Sequence, residues 1–382
     1  MIFVFDKIQE KPYPNLADHS AKPYTKDWRK YSLQWPFSEP VHFLEYLDQE
    51  NINYTLVDTN NAPAGAVYPV SLSFFDFSVH WPSLLPKAVK EKNLTVWFLY
   101  SEGDNPFRIK QHLDQQLQGI RYHFTSANTA SQHLKNFSSF VDDELLYRLR
   151  NKSQAEQYHE QQRTRKFTAL SRTHKWWRAT TMARLWRQNI HHFGYFSYNT
   201  ELDVGEAETD NPIEVDSFDN LRKYTKQFLA NGPYRADRHT SEFHNLHQYT
   251  IPEHHNNSYL NFVLETHLDV DQSEGVFLTE KTFKPIKHCQ LFVILGPAGS
   301  VEQLRKMGYS TFDHVLDHGY DTIKNNTQRW DATLKEFEHL ILHENLHHLY
   351  MKCKDDLLHN QQLFLNSKSD RLNSILQKVS NA

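Results

Sequence analysis

The stretch Leu94-Thr95-Val96-Trp97-Phe98-Leu99-Tyr100 decides the fold class. Its apolar run is continuous rather than alternating, which is typical of a parallel strand that is covered on both faces. Short apolar runs and amphipathic stretches alternate around it, with predicted strands at 1–5, 54–58, 66–75 and 121–125 and predicted helices at 40–50, 81–91, 106–117 and 130–136. Alternation at this spacing predicts a parallel, doubly wound sheet.

The same alternation restarts after a polar stretch, residues 150–165, which is the predicted linker. Further strands are predicted at 166–170, 194–198, 259–264 and 291–295, with helices at 174–188, 221–229, 280–288 and 300–307 and a helical end from residue 320. We therefore predict an α/β fold of two Rossmann-like domains facing a cleft, with a helical C-terminal tail. The predicted bounds are 1–150 for the N-terminal domain, 151–165 for the linker, 166–330 for the C-terminal domain and 331–382 for the tail.

The composition narrows the class of protein. A length of 382 residues favours two domains, and a net charge of −4 means that any nucleic-acid contact must come from a local patch. The two cysteines cannot form a disulfide scaffold, which fits a reducing compartment, and we predict a cytoplasmic protein. Residues 1–5 are too short for a signal peptide, and no apolar run approaches the ~18 residues of a membrane span.

Glycine usage excludes two common classes of nucleotide-binding enzyme. The chain has only 11 glycines and contains neither G-x-G-x-x-G nor a P-loop. NAD-linked Rossmann enzymes and P-loop NTPases need such glycines to bring backbone close to phosphate. In parallel α/β sheets ligands bind at the carboxyl ends of the strands, so candidate residues are sought there.

The segment Phe277-Leu-Thr-Glu-Lys-Thr-Phe-Lys-Pro-Ile286 is the strongest local signal and precedes a buried strand. A carboxylate at a helix start, Glu280, suits a ribose diol, and Lys281 with the first helical amides suits a diphosphate. The same spacing fits a plain helix cap formed by Thr279 and Glu280. Spacing alone leaves both interpretations open.

Residues 259–266 (Tyr-Leu-Asn-Phe-Val-Leu-Glu-Thr) followed by 277–285 resemble the donor-binding half of GT-B glycosyltransferases. The resemblance is closest to bacterial and viral enzymes with a TEKTFKP stretch and more distant to α-1,3-fucosyltransferases. The strand at 291–296, the turn at 308–312 and residues 317–321 match in the same order. The resemblance extends from about Lys166 to the C-terminus, and the N-terminal half matches only in its strand–helix rhythm.

The resemblance implies a transferase that moves a sugar from a nucleoside-diphosphate donor to an acceptor hydroxyl, with no cofactor beyond that co-substrate and no catalytic metal. The C-terminal domain would bind the donor through Thr279, Glu280, Lys281 and Glu265, with Glu280 on the ribose and Lys281 on the phosphates. The N-terminal domain would bind a glycan or another hydroxyl acceptor. Gln272 and His288 stand where the retaining GT-B group has the partner of its Glu-x7-Glu pair, so the stereochemistry is not carried over.

The basic segment 163–187 contains eight Lys or Arg residues and no acid. Arg172 and Lys175 follow a predicted strand, where they could neutralise a leaving nucleoside diphosphate. The alternatives are a basic helix face, solvated or paired with the acidic loop 201–219, and a nucleic-acid contact in which Trp176 and Trp177 stack on bases. The last of these alternatives would make a nucleic acid the acceptor, and the protein would then be a sugar transferase that acts on modified DNA.

A general base for the acceptor is expected on the N-terminal side. Glu102 and Asp104 follow the strand 94–100, and Asp76 follows the strand within 66–75. A carboxylate at a strand's carboxyl end is well placed to accept a hydroxyl proton. Each of the three also fits an ordinary loop acid or helix cap.

Two metal-binding patterns remain as alternatives. Asp269-Val270-Asp271 matches the Asp-x-Asp pair that holds a divalent ion in GT-A enzymes. His343-Glu344-Asn345-Leu346-His347 matches the H-E-x-x-H zinc motif, with Cys353 as a possible third ligand.

The alternative to an enzyme is a non-catalytic carbohydrate- or nucleotide-binding protein of the same fold.

Overall fold

The structure is a computed structural model that describes residues 1–5, 47, 51–72, 75, 77–100, 103–139, 155–171, 174–198, 211–236, 251–269, 275–366 and 370–382. The strands in these residues are β1 (Ile2–Phe5), β2 (Thr55–Asp58), β3 (Val67–Leu72), β4 (Thr95–Tyr100), β5 (Tyr122–Ser126), β6 (Phe137–Ser139), β7 (Arg165–Ser171), β8 (Gly194–Tyr198), β9 (Ser258–Leu264) and β10 (Leu291–Leu295).

The α-helices are α1 (Trp81–Leu84), α2 (Lys87–Glu91), α3 (Pro106–Gln116), α4 (Trp176–Arg187), α5 (Leu221–Asn231), α6 (Pro252–Asn256), α7 (Glu280–Lys287), α8 (Ser300–Lys306), α9 (Asn326–His343), α10 (Leu346–Lys352), α11 (Lys354–Asn366) and α12 (Asp370–Asn381). None of these helices is long and apolar enough to cross a lipid bilayer.

The chain divides into two compact units. Unit 1 combines Met1–Tyr147, Ser273–Phe277 and Lys368–Ala382, and unit 2 combines Arg148–Gln272 and Leu278–Ser367. The helical region predicted for residues 331–382 is thus shared between the units, because α12 belongs to unit 1.

Unit 1 is built on a six-stranded sheet in the order β2-β1-β3-β4-β5-β6, and every pairing in it is parallel. The strand that decided the fold class, β4, lies inside this sheet, and Val96 and Phe98 are fully buried. The chain runs from β1 outward to β2 and then returns to β3 on the other side. The strand order therefore reverses between β1 and β3.

Unit 2 is built on a four-stranded parallel sheet in the order β10-β9-β7-β8. Every residue of β9 and β10 is buried, as expected for strands covered by helices on both faces. The strand order reverses between β7 and β9. Two doubly wound parallel sheets and a helical C-terminal region confirm the predicted α/β fold of two Rossmann-like domains and agree with a GT-B architecture.

The helix α12 completes the core of unit 1. Leu372, Ile375, Leu376 and Val379 follow the i, i+3, i+4, i+7 spacing of one helical face, and they pack with Phe3, Val67 and Trp97 of the sheet. Burying side chains of this size contributes about 1.5–3 kcal/mol each. These apolar contacts hold residues from the two ends of the sequence in one core.

The segment before α7 also belongs to unit 1. Val276 donates from its amide to Thr129 Oγ1 (2.8 Å) and accepts from the Thr129 amide (3.1 Å). Gly275 has a φ of +89°, and a Cβ there would lie 2.1 Å from Asn128 Oδ1. Glycine is therefore required at this position, both for the backbone conformation and for the close approach.

Two predicted helices differ from the structure. The helix predicted at 81–91 is two short helices, α1 and α2, because Pro86 forces the preceding Leu85 into an extended conformation. The helix predicted at 130–136 is a 3₁₀ turn, Thr129–His133, followed by the unpredicted strand β6. The helix predicted at 40–50 lies outside the described residues apart from Leu47.

Candidate functional site

The reversal of strand order in unit 2 lies between β7 and β9, which end at Ser171 and Leu264. In sheets of this kind the crevice at such a reversal is the usual ligand site. The residue after β9 is Glu265, and the helix that follows it in unit 2 is α7. The predicted donor-site residues of the segment 277–286 are therefore attached to this edge of the sheet.

Glu265 is fully buried and anchors the start of α7. Its carboxylate accepts from the Thr279 hydroxyl (2.6 Å), the Thr279 amide (3.1 Å), the Thr266 amide (3.2 Å) and the Thr282 hydroxyl. Its backbone amide donates to Leu295 O, which ties the ends of β9 and β10 together. A carboxylate with four protein donors is committed to holding the backbone of this edge in place.

Lys281 places an ammonium group beside the first turn of α7. Its Nζ lies 3.1 Å from Glu280 Oε1, 3.2 Å from Thr266 Oγ1 and 3.3 Å from Thr279 Oγ1. The Glu280 side chain is only 6% exposed, whereas that of Lys281 is 28% exposed. The cation therefore has access to solvent, and the acid beside it is almost completely covered.

Helix α4 begins at the same edge, after β7. Its N-cap residue, Lys175, makes no side-chain cap hydrogen bond, and its first turn contains no acid. Among the described residues, the hydroxyl of Ser171, at the end of β7, is buried without a hydrogen-bond partner. Buried polar groups are nearly always paired in folded proteins, so this hydroxyl is a candidate contact for a ligand in the crevice.

His174 and Tyr198 connect the ends of β7 and β8. The Tyr198 hydroxyl lies 2.8 Å from His174 Nδ1 and 3.4 Å from Lys175 O, and Tyr198 is fully buried. These contacts fix the backbone on which Lys175 sits. Arg172, the other basic residue predicted here, lies outside the described residues.

Two buried arginines support this edge and were missed as site residues. Arg178 donates through Nε and Nη2 to Glu265 O. Arg329 donates to Gly296 O (3.0 Å) and Leu268 O, and burial lowers the pKa of its guanidinium to about 10. Arg178 was detectable as a charge on the apolar face of a predicted helix, whereas Arg329 gave no sequence signal.

Most of the described basic side chains in the segment 163–187 make contacts within the protein. Arg184 forms ion pairs with Asp331 (2.6 Å) and Glu338 (2.7 Å) of α9, and Arg178 is buried. Trp177 is only 3% exposed, so its ring cannot stack on nucleic-acid bases. The alternative that Trp177 stacks on bases is therefore wrong, and the acidic partners of Arg184 in the described part of the chain lie on α9.

In unit 1, Asp104 lies exposed between β4 and α3, and its carboxylate accepts from the Tyr100 hydroxyl. The backbone next to it is tightly held, because a Cβ on Gly103 would lie 2.4 Å from the Phe277 ring and Asn128 donates to Gly103 O. Glu102 and Asp76 lie outside the described residues. By topology, β3, which Asp76 follows in the sequence, borders the strand reversal of unit 1, and β4 lies one strand away.

The H-E-x-x-H pattern does not form a zinc motif. Helix α9 ends at His343, Glu344 is extended, and a new helix starts at Leu346. The two histidines therefore do not share one helical face, and His347 instead contacts the Tyr259 hydroxyl (3.2 Å). Of the Asp-x-Asp pair, Asp269 is exposed and Asp271 lies outside the described residues.

Comparison with known proteins does not identify a family for this chain. No family model matches the chain, and no curated protein matches its sequence. A solved structure of a mutant T4 phage BGT in complex with UDP-glucose resembles the chain with a TM-score of 0.37 and 10% identity, over 90% of this chain and 94% of that chain. A likeness of this extent assigns no ligand and no residue role to the present protein.

Proposed function

We propose that this protein is a glycosyltransferase that moves a sugar from a nucleoside-diphosphate donor to an acceptor hydroxyl. The observation that carries the proposal is the position of Lys281. Its ammonium group lies at the start of α7, on a scaffold fixed by Glu265, at the reversal of strand order in unit 2. This is the place where parallel α/β sheets bind phosphorylated ligands.

The donor's diphosphate would be held from two helix starts. Lys281 and the first amides of α7 supply positive charge on one side, and Lys175, Arg172 and the first amides of α4 supply it on the other. The Ser171 hydroxyl at the end of β7, without a partner among the described residues, is proposed to donate a further hydrogen bond to the diphosphate. Negative charge develops on the diphosphate as it leaves. Positive groups that are already positioned beside it stabilise the transition state most strongly.

Glu280 is proposed to accept hydrogen bonds from the ribose hydroxyls of the donor. Its carboxylate oxygens are hydrogen-bond acceptors, and Oε1 lies 3.1 Å from Lys281 Nζ at the start of α7. The same contact orients the Glu280 side chain toward Lys281. Thr279 and Glu265 are proposed to act through the position of α7 and not by direct contact with the donor.

The transfer is proposed to be independent of a catalytic metal and of any other cofactor, because lysine and arginine side chains at this edge can neutralise the leaving group. The acceptor base is proposed to be Glu102, Asp104 or Asp76 of unit 1. A glycan or another hydroxyl compound is the proposed acceptor class. A nucleic-acid acceptor becomes the weaker alternative, since Trp177 and most of the basic segment are occupied internally.

The testing experiment is a thermal-shift screen of the purified protein against UDP, GDP, CMP, ADP and their common sugars, each with and without EDTA. Selective stabilisation by one nucleotide family, indifferent to EDTA, would support the proposed donor site. Stabilisation that disappears with EDTA would contradict metal independence. The absence of a shift with every nucleotide would contradict the donor site itself.

Turnover separates an enzyme from a binding module. Release of the free nucleoside diphosphate from the stabilising donor would be followed with a panel of hydroxyl acceptors that includes DNA and RNA. Acceptor-dependent release supports a transferase. Donor binding without release on any acceptor would favour a non-catalytic protein, and release only with nucleic acid, in a salt-dependent manner, would favour the nucleic-acid acceptor.

A further inference from the structure

Three metal-ligating side chains of unit 2 meet outside the proposed donor site. His314 lies in the turn after Phe312, Cys353 lies between α10 and α11, and Asp356 lies in the first turn of α11. One ligand atom from each lies within 4.8 Å of the other two. Among the described residues, this is the one group of three or more such side chains that comes so close together.

The separations match ligands of a single ion. His314 Nε2 lies 3.8 Å from Cys353 Sγ and 3.7 Å from Asp356 Oδ2. Bonds of about 2.0–2.3 Å around a tetrahedral ion place neighbouring N, O and S ligands about 3.3–3.6 Å apart. The His314–Asp356 distance is also too long for an N–H···O hydrogen bond, which extends to about 3.2 Å. The gap is therefore close to what an ion would require.

The ligands are oriented by a second set of contacts. The Ser310 hydroxyl donates to Asp356 Oδ1 (2.7 Å), which leaves Oδ2 for the site. Asn360 of α11 accepts from the Ser310 amide (2.7 Å) and donates to Ser310 O (2.8 Å). Outer contacts of this type fix the direction of a metal-binding carboxylate and are typical of built metal sites.

We propose that His314, Cys353 and Asp356 bind one divalent transition-metal ion, with water as the fourth ligand. The nitrogen, sulfur and oxygen donors together favour zinc, since magnesium and calcium prefer oxygen alone. Cys353 is buried, whereas the His314 side chain is 51% exposed, so solvent reaches the side on which a water ligand would bind. The ion would tie the turn at 310–316 to the junction of α10 and α11.

This site is independent of the proposed glycosyl transfer. It uses none of the residues assigned to the donor, and its effect would be on the stability of unit 2. Binding of zinc would release the thiol proton, so the affinity should rise with pH.

The test uses the full chain, stripped with a chelator and titrated with Co²⁺ and then with Zn²⁺. We expect one Co²⁺ per chain, a thiolate-to-cobalt charge-transfer absorption, and loss of that absorption when Zn²⁺ is added. Cys353→Ser should abolish the charge-transfer band, and His314→Ala should weaken binding by about 10-fold or more. The matched control is His339→Ala, because His339 also pairs with an acid, Glu344 (3.3 Å), but has no cysteine beside it.

Binding without a thiolate band, or equal losses in His314→Ala and His339→Ala, would overturn the proposal, since both indicate weak binding to surface histidines. No binding at micromolar Co²⁺ would also overturn it. If Cys353→Ser does not fold, the more exposed His314→Ala and Asp356→Asn carry the test, with the charge-transfer band as the readout. Repeating the nucleotide screen on His314→Ala separates an EDTA effect at this site from one at the donor site.

Discussion

The hydroxyl of Thr279 donates a 2.6 Å hydrogen bond to the carboxylate of Glu265, fourteen residues earlier in the chain. This contact joins the N-cap of α7 to the end of β9. The position of Lys281, two residues further on, therefore depends on a side chain that is itself fully buried. A substitution of the buried Glu265 can consequently weaken the proposed donor site without changing the groups that would contact the donor.

Glu265→Gln is expected to lower both stability and donor affinity. The amide nitrogen of glutamine would face hydroxyl and amide groups that donate hydrogen bonds to the carboxylate. These hydrogen bonds would be lost, so the free energy of unfolding should fall by about 1–3 kcal/mol. Urea denaturation and nucleotide calorimetry measure the two effects. The matched control is Glu302→Gln in the exposed first turn of α8, which should change stability by no more than about 0.5 kcal/mol. Equal effects in both variants would contradict an anchoring role for Glu265.

Lys281→Ala is expected to weaken binding of the nucleoside diphosphate by roughly 10-fold or more, since a charge-assisted hydrogen bond is lost. The loss of the ammonium group beside the covered Glu280 carboxylate should also lower the melting temperature, so donor affinity is the deciding measurement. Calorimetric titration and thermal melting of the same samples test both expectations. Lys306→Ala, on the exposed end of α8, serves as the control. A lower melting temperature with unchanged affinity would show that Lys281 has only a structural role.

Glu102→Gln is expected to reduce kcat by about 10²–10⁴-fold and to leave donor affinity nearly intact, because a base acts only on the acceptor hydroxyl. Steady-state kinetics and donor titration would be run in parallel with Asp104→Asn and Asp76→Asn. Unchanged turnover in Glu102→Gln would move the base to one of the other two carboxylates. Full activity in all three variants would exclude the loops after β3 and β4 as its source.

The stability of unit 1 is expected to decline in mild acid because of His123. Burial lowers the pKa of this imidazole from 6.5 to about 4, and its Nε2 lies 2.8 Å from Ser138 Oγ. Below pH 6.5 the unfolded chain protonates His123 more readily than the folded protein does. The free energy of unfolding is therefore highest above pH 6.5 and falls as the pH decreases from 6.5 toward about 4. The parent protein should lose about 2 kcal/mol between about pH 7 and about pH 5 from this residue.

Urea denaturation at the two pH values, compared with His123→Gln, measures the contribution of His123. The variant should show a shallower decline, and the exposed His133→Gln should behave like the parent. Parallel declines in His123→Gln and the parent would assign the acid sensitivity to other groups.

The sequence was sufficient for the fold because its central strands are apolar without interruption. Residues 94–100, 259–264 and 291–295 were identified almost to the residue, and the alternation with helices fixed their parallel arrangement. The bounds of elements were harder to predict where a single residue or a short length overrides the hydrophobic pattern. Pro86 divided a predicted helix, and β6 has only three residues, too few to show any period.

Thr279, Glu280 and Lys281 could be proposed as site residues from the sequence because they are neighbours in one motif. Their role in donor binding stays a prediction. The supporting role of Arg329 arises from contacts with backbone carbonyls of Leu268 and Gly296, which are distant in sequence and have no residue signature. For the same reason the approach of His314 to Cys353 could not be foreseen, and Cys353 was considered with His343 and His347 instead.

The helix α12 has a consequence for how the protein folds during synthesis. The strands of unit 1 leave the ribosome first, but the four side chains that α12 adds to their core follow only after all of unit 2 has been made. Until then, the face of the sheet around Phe3, Val67 and Trp97 lacks these side chains as cover. Nascent unit 1 therefore passes through a period of exposed apolar surface, in which chaperone binding or aggregation competes with native closure.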